Sequence, residues 1–140
     1  MKKIIGLVTV LAVMLSLTAC GSNVEEAHLK GYDEPLHDVL EEAIAETMEE
    51  EESFDIEWSD GWDHENAPDE DRVGKGEKAV TCKVTWTDEE GNEVCENYFF
   101  FAYDKKEEEL TPKGSVSIEE GYVQEDSAKE TKEILESLYE

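Results

Sequence analysis

The sequence predicts an α+β domain: an antiparallel sheet of about four strands, wound as a β-meander, with an N-terminal and a C-terminal helix packed on one face. Three observations carry this. Apolar residues recur at helical spacing over residues 35–48, they alternate with polar ones over 53–59 and within 79–103, and a helix-start signature stands at Ser127 near the end of the 140-residue chain. A helix, then strands, then a helix is most simply satisfied by a sheet covered on one side.

The first helix sets Leu36, Val39, Leu40, Ala43, Ile44 and Met48 on one face in steps of three and four, with Glu41, Glu42 and Glu46 outward. Asp33 is placed to cap it, and Pro35 suits its first turn. Residues 49–52 are all glutamate and meet the negative end of the helix dipole, which predicts a frayed last turn or bound cations.

Phe54, Ile56 and Trp58 then alternate with Asp55, Glu57 and Ser59, the pattern of a half-buried strand. Residues 60–78 hold three glycines, Pro68 and many acids and read as a long loop. In the next strand Val80, Cys82, Val84 and Trp86 point one way, and Thr81, Lys83, Thr85 and Thr87 the other. Asp88-Glu89-Glu90-Gly91 is a type I turn with glycine in the left-handed position. The more apolar strand that follows, 94–103, carries aromatics on both faces, which predicts a central strand covered on two sides. Residues 113–123 add a fourth strand through Val116 and Ile118, with Tyr122 as the seed of a fifth. Ser127 and Glu130 match the capping box, and Ile134, Leu135, Leu138 and Tyr139 give the closing helix its apolar stripe.

Two hairpin registers are compatible with this turn. A turn closed by Gly91 sets Trp86 opposite Val94 and Cys82 opposite Tyr98. A two-residue Glu90-Gly91 turn sets Cys82 opposite Phe99 and Cys95 opposite Trp86. In that second register the two cysteines share a face but lie four residues apart, roughly 13 Å at strand rise, too far for a disulfide, whose Cα atoms stand about 4.4–6.8 Å apart. Two separate small thiols are the favoured expectation over a bonded pair.

Ahead of the domain, Lys2 and Lys3 precede an uncharged run of 14 residues, Ile4 to Leu17. This is a basic and then apolar export-signal layout, and it is short of the about 20 residues a spanning helix needs. The run ends on Leu17-Thr18-Ala19-Cys20, which resembles the lipobox of bacterial lipoproteins over the first 22 residues. The resemblance implies cleavage between Ala19 and Cys20 and a diacylglyceryl group on the Cys20 thiol. It also implies display on the extracytoplasmic face of a cell membrane, and Gly21-Ser22 resemble the start of small Gram-positive lipoproteins. The organisation expected is a signal peptide over 1–19, a lipidated cysteine and flexible tether over 20–34, and one acidic domain over 35–140.

All 38 acidic residues and ten of the 12 basic ones follow the apolar run, leaving that part of the chain at −28. Such a charge excludes nucleic acid, which needs a basic face, and leaves anionic headgroups unattractive to the domain. It favours a basic protein or cell-envelope partner, or divalent cations. With 39% apolar residues, and 12 aromatics lying mostly in patterned segments, the chain reads as folded rather than disordered.

No G-x-S-x-G, CxxC or P-loop string is present. His64-Glu65 begins like a zinc-protease motif, but Pro68 stands where its second histidine belongs. His28, His37 and His64 are scattered and read as surface residues. Asp60, Asp63, Glu65, Asp69 and Asp71, with Glu70, crowd the long loop and offer the oxygen donors Ca²⁺ prefers, without EF-hand spacing. Trp58 and Trp86 fit core positions, whereas Trp62, past the strand end, is the better candidate for contact with a partner, although core placement is the favoured reading for it too. The functional expectation is a membrane-anchored binding or protein-interaction module. A Ca²⁺-dependent module and a small cell-envelope enzyme stand as alternatives.

Overall fold

The computed structural model describes residues 24–48, 52–62 and 64–140; Cys20, with the rest of the lipobox-like stretch, and Asp63 lie outside them. The described residues form an α+β domain. In chain order the elements are β1 (His28–Leu29), α1 (Leu36–Thr47), β2 (Ser53–Asp60), β3 (Glu77–Thr87), β4 (Glu93–Asp104), β5 (Glu109–Glu119), β6 (Tyr122–Asp126) and α2 (Ala128–Ser137). Strands β2 to β6 run as the expected antiparallel meander. The sheet is nevertheless mixed and six-stranded, because β1 adds in parallel to β5.

That addition moves the domain boundary. Residues 24–34, expected to be tether, belong to the fold. Val24, Ala27 and Leu29 are at most 1% exposed. Backbone bonds tie His28 N–H to Glu108, Lys30 N–H to Leu110 and Leu36 N–H to Ala27, all at 3.0 Å. The Tyr32 ring stacks on Tyr139 at 4.3 Å, and the Tyr139 hydroxyl donates to the Glu34 carbonyl at 2.8 Å. Three well-placed apolar side chains and contacts to residues 108–110 and Tyr139 achieve what no periodicity announced. The N-cap of α1 is Pro35 rather than Asp33, without a side-chain cap.

The edge of β5 is shared. Its Glu109 and Leu110 pair with β1, whereas Ser115 to Glu119 pair with β6. Pro112 sits in the gap between them, where its missing N–H costs the ladder nothing. A bulge there leaves Lys113 without a partner on β4, since Phe100 faces Gly114 and Phe101 faces Pro112. Gly114 has φ +151, and a Cβ on it would lie 3.3 Å from the Asp126 carbonyl, so β6 approaches as closely as it does only beside a glycine.

The β3–β4 turn combines both registers. Asp88 N–H bonds Asn92 and Gly91 N–H bonds Asp88, as in the first. Thr87 still faces Glu93, but Trp86 faces Cys95, so Val94 is bulged out and the second register holds from there on. Cys82 faces Phe99, and both cysteines are free.

Both faces of β4 are covered, as its aromatics require. On one face Leu36 and Leu40 of α1 and Leu135 of α2 join Ile56, Trp58, Val80, Cys82, Phe101 and Tyr103 in the main core. On the other, the loop over 61–76 lays Trp62, Ala67 and Val73 on Phe100, Val116 and Tyr98. The capping box of α2 forms as read: Glu130 N–H donates to Ser127 Oγ, and Ser127 N–H to Glu130 Oε1.

Candidate functional site

Of the acidic-loop residues, Asp60 forms an ion pair with Lys78 at 3.0 Å, and Glu65, Asp69 and Asp71 are exposed. Among the described residues no three His, Cys, Asp or Glu side chains come together to hold a metal ion; Asp63, part of the expected set, lies outside them. Trp62 takes the core placement rather than the contact role. It is 7% exposed, its indole N–H donates to the Phe101 carbonyl at 3.0 Å, and its ring meets Phe100 edge-on. It anchors the loop to the sheet and presents no face to a partner. Trp86, expected in the core, is half-buried and donates to Glu52 at 3.1 Å.

A correction concerns His37, expected at the surface and in fact 4% exposed. Trp58 Nε1 donates to its Nδ1 at 2.9 Å. Indole is a donor only, so Nδ1 must present a lone pair and the ring carries its proton on Nε2. That proton faces Glu41 at 2.6 Å and Glu25 at 3.3 Å. The assignment decides the chemistry. A metal at Nε2 would need the lone pair that the proton occupies, and a general base would need a free nitrogen. Both nitrogens are committed: Nδ1 ties α1 to β2 through Trp58, and Nε2 faces Glu41 of α1 itself and Glu25 ahead of β1. Around this centre partial burial pushes the Glu25 carboxyl above its ordinary range. His37 opposes the shift, and the charges of Glu41, Asp38 and Glu26 add to it. A carboxyl whose folded pKa is raised stabilises the fold most below its unfolded pKa and loses that contribution as pH rises through the folded value. Glu25→Gln is therefore expected to melt higher than the parent at neutral pH, with the difference closing as pH falls through the Glu25 titration. Thermal melts across that range check it.

The thiols are not activated. Full burial holds Cys82 protonated, and partial burial pushes Cys95 up despite a contact from Asn97 Nδ2. A cleft of about 380 Å³ opens where α2 begins, between Arg72, Lys113, Asp126 and Ser127. Its mixed charges and the self-satisfied cap of α2 leave it no strong preference for an anion.

The most one-sided surface is the outer face of the sheet near the β3–β4 turn. The registers place Asp55, Thr85 and Glu96 in one row and Glu57, Lys83 and Tyr98 in the next. Lys83 is the single cation in these two rows, 3.8 Å from Glu96, which also accepts from the Tyr98 hydroxyl at 2.5 Å. Partial desolvation and the adjoining Asp55 carboxyl, by charge and hydrogen bond, push Glu57 up, with Lys83 opposing. This face offers charge rather than a reaction centre: it can hold cationic side chains. Comparison with protein-family models, with curated proteins and with solved structures finds no match to the chain.

Proposed function

We propose that the protein is a lipoprotein held on the extracytoplasmic face of a cell membrane by a diacylglyceryl group on Cys20, and that its acidic domain is a binding module for a basic partner. The lipobox after a short apolar run carries this reading. The charge of the domain and its acid-faced sheet support the partner class. The fold adds a distance. The described residues begin at Val24, four residues past the anchor, and that stretch spans at most about 15 Å. The partner is then something within reach of a domain held close to the membrane.

Mass spectrometry of membrane-extracted protein tests the anchor. The expected species begins at Cys20 and carries diacylglyceryl on its sulfur; an unmodified thiol there would refute it. Crosslinking in the native membrane tests the module, with a basic protein as the expected neighbour.

A further inference from the structure

Strand β2 closes one side of the sheet. Ser53–Asp60 pair in unbroken register with β3, and among the described residues no other backbone segment bonds to that strand. Free edges are usually blunted by shortness, proline, a bulge or a covering segment, because their unpaired N–H and C=O groups template further strands. β2 has eight residues, no proline and no register shift. What guards it is charge.

That charge selects as well as guards. Asp55 and Glu57 stand on the outer face of β2, where a strand added at the edge would bring its own side chains within about 4.5–5.5 Å at directly opposed positions. A second copy of β2 would set acid against acid. Lysine or arginine at those positions would meet two carboxylates already crowded against each other and short of cations. On the other face the positions alternate to Phe54, Ile56 and Trp58; the last two are buried in the main core, and Phe54 is half-buried at its rim. An incoming strand would therefore find acid on one face and an aromatic edge on the other.

We propose that β2 is a docking edge for an extended segment of a basic partner protein, one that alternates lysine or arginine with apolar residues and extends the sheet past β2. This rests on the binding-module reading and gives it a surface and a recognition pattern. The backbone of the added strand would supply adhesion and its alternation would supply specificity, as in other strand-addition complexes.

The intact protein in detergent micelles is mixed with a synthetic peptide alternating lysine and valine, and separately with one alternating glutamate and valine, while amide hydrogen exchange is followed along the chain. The lysine peptide is expected to slow exchange within residues 53–60, and the glutamate peptide to leave it unchanged. The double variant Asp55→Lys, Glu57→Lys is expected to bind the lysine peptide about tenfold more weakly and to gain affinity for the glutamate peptide. Absence of lysine-peptide binding, protection confined to another part of the domain, or equal binding by the double variant would each overturn the proposal. The parent's exchange map decides the matter even should the variant fold poorly. Membrane crosslinks that join a basic neighbour to a site away from β2 would remove this edge but leave the binding module standing. If no neighbour is captured at all, the module fails whatever the peptides do.

Discussion

Cys20→Ala is expected to move the protein from the membrane fraction to the soluble fraction. Each buried CH₂ of an acyl chain contributes about 0.8 kcal/mol, one chain binds only marginally, and two together hold firmly. Alanine has no thiol to accept them. The described residues offer no substitute. Among the described residues no helix is long and apolar enough to cross a membrane, and the part after the apolar run carries −28, which anionic headgroups repel. Fractionation of cells expressing parent and variant, followed by immunoblotting, measures the shift. Retention of the variant as tightly as the parent would remove the anchor and the membrane-surface location derived from it. The melting temperature is expected to stay where it was, because Cys20 precedes the core, whose first buried residue among those described is Val24.

Trp62→Ala is expected to cost about 3–5 kcal/mol, the usual range for removing a large buried aromatic, against a total stability of about 5–15 kcal/mol for a domain. The loss has two parts. Phe100 and Val116, now at most 1% exposed, would be uncovered on the second face of the sheet, and the loop over 61–76 would lose its principal anchor. The Phe101 carbonyl would also lose the indole N–H. Trp62→Phe separates the two, retaining most of the ring burial and giving up only the bond, for about 1 kcal/mol. Chemical denaturation of the three proteins measures both steps, and faster amide exchange across residues 61–76 in the alanine variant locates the damage. An alanine variant within 1 kcal/mol of the parent would return Trp62 to the surface role its sequence position suggested.

What could be read from the sequence followed how local each signal is. Alternation gave β2 and β3, because side chains on a strand must face opposite ways. The α2 capping box was readable because its two partners lie three residues apart. Aromatics on both faces of β4 predicted two covers without saying that the second would be the acidic loop. The misses depend on distant partners. His37 looked like a solvent residue beside an apolar stripe, and nothing local reveals that the Trp58 indole donates to it from 21 residues away. Trp62 lies among acids in sequence but beside Phe100 and Val116 in space. The stretch over 24–34 has no period because its longest strand is two residues, paired to residues 109 and 110. Bulges at Val94 and Lys113 are each one residue long and leave no pattern to find.

The early-made end of this domain waits for its late-made end. The Leu29 amide and the Glu34 carbonyl both bond the Tyr139 hydroxyl, across separations of 110 and 105 residues, and β1 finds its strand partner only at Glu109. During synthesis residues 24–34 must stay open until Tyr139 has been delivered, more than a hundred positions later. Removal of the Tyr139 side chain would take both of those latches away.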